Sequence, residues 1–416
     1  MIIAPARRTE TVQEYYFSRK QKELDAMNAE RAARGEEPVI SLGIGAPDGM
    51  PPAAAIDRLV DAAQRPGNHV YQNYKGLPQL RQAYADWYRR WYGVVLDPAN
   101  EVQPLVGSKE GILLISLAFL NPGDKVLVPD PGYPTYTSAS KLAEAEIVPY
   151  DLKEENHWWP DFDALERTDL TGVKILWVNY PNMPTGAAAT PELFAQLADF
   201  GRRHGILVVN DNPYSFILTA RPLSILAADG ARGVCLELNS LSKAHNMSGW
   251  RIGMVGGAAE LIAEVLKVKS QMDSGMFKPL QLAAIAALQS GPEWFEALNA
   301  EYARRRTAAA RIFDLLGLSC DPDSAGLFCW GRIPEAVSAA VDGACCGGGG
   351  RKSAGERLSD LLLHEAGVFL TPGSIFGKNG RDCIRLSLCA PVETIDRACN
   401  RIADFLRDRN GLKDNE

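Results

Sequence analysis

Residues 174–214 read KILWVNYPNMPTGAAATPELFAQLADFGRRHGILVVNDNPY. Two short apolar runs, 174–178 and 206–210, each pass into polar, asparagine-bearing sequence, and a stretch with helical spacing lies between them. Thr190 can cap that helix, Pro191 suits its first position, where a missing N–H costs nothing, and Gly205 can end it. A strand, a helix and a second strand form the unit of a parallel crossover.

The same alternation extends outward over about residues 105–260. Further strand candidates are 125–128, 234–238 and 252–255, and a helix over 109–120 is stopped by the turn Asn121-Pro-Gly-Asp124. The reading is an α/β fold whose large domain has a mostly parallel, seven-stranded-type sheet flanked by helices. The carboxy-terminal third changes character, with helices over 301–315 and 356–365 and strands over 368–370 and 383–388. It reads as a smaller α+β domain. The expected division is 1–50 as an amino-terminal segment contributing to the small domain, 51–300 as the large domain and 301–416 as the small one. Ala344-Cys-Cys-Gly-Gly-Gly-Gly350 reads as a surface loop; it is not a phosphate loop, because Lys352 follows Arg351 rather than glycine.

With 416 residues, 46% hydrophobic and 23% charged, the chain has core-forming material for two or three domains. A net charge of −7 gives no electrostatic footprint for nucleic acid. The longest apolar run, 111–120, is about half of what a membrane-spanning helix needs, and the amino terminus has no signal-peptide core. A cytoplasmic protein is expected, with no membrane or nucleic-acid partner. Eight cysteines without a CxxC pair and five histidines without HxxxH spacing argue for structural thiols and no metal site.

Function in a parallel sheet collects at the carboxyl ends of the strands. Here those ends carry Asn179, Asp211, Tyr214, Ser240, Ser242 and Lys243, with Arg251 eight residues further on. A carboxylate, a phenol, two hydroxyls, an amine and a guanidinium suit pyridoxal phosphate. Its aldehyde needs a lysine, its ring nitrogen a carboxylate, and its phosphate a helix start with hydroxyls and a cation. Val106-Gly-Ser-Lys-Glu-Gly111, before an apolar helix, can supply the N–H cradle.

The stretches GIGAPD (43–48), GSKEG (107–111), PDPGYP (129–134), YPNMPTG (180–186), NDNPY (210–214), SLSKAHNMSGWRIG (240–253) and CIRLSL (383–388) stand in the order of the class I/II aminotransferases. The chain resembles these fold-type-I, pyridoxal-phosphate-dependent enzymes from about residue 40 to 390, and within them the branch around LL-diaminopimelate aminotransferase. The resemblance implies a ping-pong transfer of an amino group from an L-amino acid to a 2-oxo acid. It gives Lys243 the cofactor as a Schiff base and the later proton shuttle, Asp211 the pyridinium nitrogen, and Tyr214 the ring's phenolic oxygen. Tyr133 would stack on the ring, while Gly107, Ser108, Lys109, Ser240, Ser242 and Arg251 would hold the phosphate. Arg385, aided by Gly45, would grip the substrate α-carboxylate. Tyr71 would reach the neighbouring subunit's phosphate, which implies a homodimer with shared sites.

One position departs from the pattern. The family has Asn directly before Pro-Thr-Gly, bonded to the phenolic oxygen; here it is Met183, leaving Asn182 or Asn179 to supply the bond, or Tyr214 alone. The residues also admit plainer readings. Asp211-Asn-Pro is a good turn, and Tyr15-Tyr-Phe17 and Trp158-Trp159 read as packing rather than as a substrate lid. Two rival activities remain open. A C–S lyase would use the same lysine for β-elimination. A serine acyl-enzyme would use Ser240-x-x-Lys243, although its SDN and KTG partners are missing.

Overall fold

The computed structural model describes residues 3–342 and 352–413; the 344–350 stretch read as a surface loop lies outside the described residues. After the helix Tyr16–Ala33 comes a two-residue strand, β1 (Ile40–Ser41). The chain then builds a seven-stranded sheet from β2 (Val102–Leu105), β3 (Lys125–Asp130), β4 (Glu146–Asp151), β5 (Val173–Val178), β6 (Leu207–Asp211), β7 (Cys235–Ser240) and β8 (Gly253–Gly257). Their spatial order is β2-β8-β7-β6-β5-β3-β4. Every neighbouring pair is parallel except those made by β8, which runs antiparallel to both β2 and β7.

Alternation along the strands feeds two cores. Val126, Val128, Ile175, Trp177 and Val209 pack with Ile112 and Ile115 of the helix Ser108–Phe119 on one face. Leu127, Leu176, Val178 and Val208 pack with Leu193, Phe194 and Leu197 of the helix Pro191–His204 on the other. Both faces of the sheet are thus covered, so the strands read as short continuous apolar runs instead of alternating ones. The sequence reading missed β2 and β4. They are the two edge strands, and each carries a proline (Pro104, Pro149), which cannot donate to a ladder and weakens the strand signal.

A four-stranded antiparallel sheet follows, ordered β12-β13-β10-β9, from β9 (Ser319–Cys320), β10 (Phe328–Arg332), β12 (Thr371–Pro372) and β13 (Cys383–Ser387). The remaining strand, β11 (Val368–Phe369), pairs in parallel with β1, so chain from before residue 50 joins this part of the molecule. The helix expected over 301–315 is the latter part of a longer one, Pro292–Leu316, and the division drawn at residue 300 falls inside it. Pro292 occupies its first turn behind Gly291, the start signal that the sequence reading overlooked. The helix Ala354–Glu365 opens on a capping box between Ser353 and Glu356.

Candidate active site

The carboxyl ends of β5, β6 and β7 open into a cavity of about 360 Å³ that reaches the small sheet. Its lining includes Gly45, Ser108, Lys109, Tyr133, Asp211, Tyr214, Ser240, Ser242, Lys243, Arg251 and Arg385. Most of the residues singled out from the sequence therefore meet at one place.

Asp211 ends β6 on the same face as Val209, toward the helix Ser108–Phe119. Its Oδ2 accepts from the Tyr136 hydroxyl at 3.0 Å, while its Oδ1 is buried with no partner. Burial pushes the carboxyl up to about 7, against the Tyr136 hydrogen bond and the Lys243 charge, which pull it down. A lone buried acceptor of this kind fits a cationic N–H donor.

Lys243 lies in a four-residue helix after β7, and its Nζ donates to the Gly45 carbonyl. Burial lowers its pKa below the ordinary lysine value, so the amine is partly primed as a nucleophile. Ser240 caps that helix by accepting from Ser242 N at 3.1 Å. Arg251, held at φ +54°, donates to Ser242 Oγ at 3.3 Å and to the Ser248 carbonyl at 2.8 Å. It lies against Gly107, where a Cβ would collide with the guanidinium. Gly107 has φ +79° and precedes the helix Ser108–Phe119, whose start carries no side-chain cap. Free amides, two hydroxyls and a cation together make an anion cradle of the kind a phosphate monoester fills.

Arg385 on β13 is 3% exposed, and none of its contacts among the described residues is a carboxylate. One Nη donates to the Gly43 carbonyl at 2.7 Å, the other to Met183 Sδ at 3.3 Å, and Nε has no partner. The rings of Phe328, Phe376 and Phe17 stand 3.9, 4.6 and 5.4 Å from the guanidinium. Burial lowers its pKa to about 10. The buried charge is complementary to an incoming carboxylate.

Two expectations need correction or qualification. Asn182 does not line the cavity. Its Oδ1 accepts from the hydroxyl and amide of Thr185, and its Nδ2, the donor such a bond would need, is buried without a partner and away from the cavity lining. Asn179 does line it, with its Oδ1 accepting from Met183 N at 2.7 Å and its Nδ2 donating to the Asp211 carbonyl. Tyr71 lies outside the cavity, 89% exposed.

The sequence reading missed Tyr15, Phe17, Tyr136, Phe328 and Phe376, all of which line the cavity. Tyr15 and Phe17 were assigned to packing. Instead the Tyr15 ring lies 4.2 Å from Lys109 Nζ, and Phe17 faces Arg385. Nothing local signals those contacts, which join residues far apart in the chain. Tyr136 was findable: it follows Tyr133 by three residues, and its ring stacks on Trp177 at 5.1 Å.

The family model for aminotransferase class I and II matches residues 37–402. The chain belongs to that family. It is 41% identical over 402 residues to the LL-diaminopimelate aminotransferase of Dehalococcoides mccartyi (strain ATCC BAA-2266 / KCTC 15142 / 195), covering 96% of this chain and 98% of the relative. It is 40% identical over 406 residues to the enzyme of that name from Oleidesulfovibrio alaskensis, with the same coverage of both chains. Among solved structures, substrate-bound BacF from Bacillus subtilis superposes with a TM-score of 0.87 at 33% identity over 97% of both chains. A probable N-succinyldiaminopimelate aminotransferase from Thermus thermophilus gives 0.81 at 32% identity, covering 92% of this chain and 98% of that one.

The protein is thus a fold-type-I, pyridoxal-phosphate-dependent aminotransferase, and the unpartnered Asp211 oxygen, the Lys243 amine and the Gly107 cradle fit that cofactor. Amino-group transfer takes the place of the serine acyl-enzyme reading, and Ser240 Oγ is engaged with the Ser242 amide. No helix among the described residues is long and apolar enough to cross a membrane.

Proposed function

We propose that this aminotransferase takes its amino group from an LL-diaminopimelate-type donor, an amino acid with a second carboxylate, and works as a cytoplasmic homodimer. The observation that carries the donor is the near full-length identity of about two residues in five to relatives of that name. A second cation in the cavity agrees with it. Lys109 has no carboxylate partner among the described residues and presents its ammonium over the Tyr15 ring, which in turn touches Phe17, one of the rings facing Arg385.

In this reading Arg385 binds the donor's α-carboxylate through its two-pronged face, which fixes the α-carbon against Lys243. Lys243 Nζ, its basicity reduced by burial, would take the α-proton and return it to the carbon on the far side of the amino nitrogen, two atoms away. Asp211 Oδ1 would accept from the protonated ring nitrogen, with Tyr214 and Tyr133 of the cavity lining beside the ring. Ser108, Ser240, Ser242 and Arg251 would hold the phosphate, with the Gly107 conformation aiming the amides. When bound, pyridoxal phosphate supplies the aldehyde that carries the amino group and the ring that absorbs the electron pair.

Residues 51–300 would be the cofactor-binding unit, with 1–50 and 301–416 forming the smaller one. Tyr71 would serve the partner's phosphate. Its exposure beside Val70 (65%), together with exposed Met50 (73%) and Phe277 (43%), supports a covered face in the assembled molecule. The six described cysteines are all free, in keeping with a reducing compartment.

The test is kcat/KM for LL-diaminopimelate, aspartate, alanine and phenylalanine with 2-oxoglutarate as acceptor, with ammonia assayed alongside. LL-diaminopimelate should lead by at least about tenfold, with no ammonia released. A monocarboxylate donor in front would overturn the donor; an S-substituted cysteine, which carries the β-leaving group the panel lacks, is assayed beside it, and thiol, pyruvate and ammonia released from it in equal amounts would indicate β-elimination.

A further inference from the structure

We propose that Asp130 is a positioning residue whose carboxylate latches the 376–379 loop onto the end of β3, and so fixes Phe376 against the Arg385 guanidinium. The proposal rests on reading Arg385 as the substrate-carboxylate site.

Asp130 is the last residue of β3 and is 8% exposed. A carboxylate that deep needs donors, and it draws them from a loop some 250 residues away in sequence. Lys378 N donates to Oδ2 at 3.1 Å and Asn379 N to Oδ1 at 3.0 Å. Asn379 Nδ2 donates at 2.9 Å both to the Asp130 carbonyl and to Asp151 Oδ1, and Lys378 Nζ pairs with that same oxygen at 2.9 Å. Beside them Gly132 N donates to the Phe376 carbonyl at 2.8 Å. Gly377 sits in the middle with φ +143°, where a Cβ would collide with the Asp130 carboxylate. Close approach of backbone to carboxylate is therefore built into the loop.

The loop carries one wall of the cavity. Phe376 lies 4.6 Å from the Arg385 guanidinium and edge-on to Trp330 at 6.0 Å. Arg385 has no charged partner of its own among the described residues, so its direction is set by those rings, the Gly43 carbonyl and a thioether, which is a weak acceptor. On the other side Asp130 is three residues from Tyr133, which lines the cavity beside Asp211. The latch thus ties the wall that faces the cofactor ring to the wall that faces the carboxylate, although Asp130 itself does not line the cavity.

Loosening it should weaken carboxylate binding equally in the ground and transition states, which raises KM and spares kcat. The experiment compares holoenzyme of the wild type with Asp130→Asn, Asn379→Ala and Arg385→Ala. Cofactor occupancy is read from the visible band, folding from thermal unfolding, and kcat and KM from the best donor of the panel above. Asp130→Asn should keep the band, raise KM about tenfold and hold kcat within about twofold, with Asn379→Ala moving the same way by a smaller factor. If Asp130→Asn does not fold, Asn379→Ala, which leaves the carboxylate in place, decides. An unchanged KM in the folded variants, or kcat and occupancy falling with stability while KM holds, overturns the latch. If Arg385→Ala raises KM and the latch variants do not, the latch alone is wrong. If Arg385→Ala also leaves KM unchanged, the carboxylate reading falls and the latch with it.

Discussion

Asp211 pairs one oxygen with Tyr136 and leaves the other buried and unpartnered, a state that costs free energy until a cation fills it. Its folded pKa of about 7 lies above the ordinary 3.8, so the folded chain binds the extra proton between those values. Stability of the cofactor-free protein from this group therefore falls as pH rises through that window, and the cost is complete above it. Asp211→Asn keeps an acceptor for Tyr136 and removes the charge. The cofactor-free variant should unfold at a higher temperature than wild type at pH 8, with the difference vanishing near pH 4. A difference independent of pH would show that Asp211 is not the strained carboxylate described.

Residues of this kind were legible in sequence because each follows an apolar strand that marks its place. Asn182 shows the limit. It stood beside Met183 in the right motif, but the turn through Thr185 holds it off the cavity wall with its donor unpartnered, and a turn's internal hydrogen bonds do not show in a string of letters.

Among the elements, the central strands were readable because their helices announce themselves by caps: Thr190 accepts from Leu193 N, Pro191 follows, and Gly205 ends the helix in the left-handed region. The edge strands β2 and β4 were not, since Pro104 and Pro149 are tolerated only where no ladder donor is needed, and which strand is an edge is a property of the whole sheet. The antiparallel sense of β8 was equally hidden. Its link from β7 holds only the four-residue helix Leu241–Ala244 and the turn Ser248–Trp250, and no run of helical spacing long enough to cover a crossover. The aromatic wall around Arg385 comes from three separate elements, the amino-terminal helix, β10 and the 373–376 turn, so no local pattern could assemble it.

At the scale of the whole molecule the proposed shared site makes a sharp prediction. If Tyr71 serves the neighbour, the Lys243→Ala and Tyr71→Phe lesions fall in the same site of a hybrid dimer. One site then carries both changes and the other neither. Mixing the two impaired proteins in equal amounts under exchange conditions should restore about a quarter of wild-type activity per subunit. Activity equal to the average of the two parents would place Tyr71 in its own chain's site or in none.

The central claim is that Lys243 carries the cofactor at the head of this constellation. Reduction of the holoenzyme with borohydride, followed by peptide mass mapping, addresses it most directly. The account predicts the reduced cofactor on the peptide containing Lys243; attachment at Lys109, at any other lysine, or at none would contradict it.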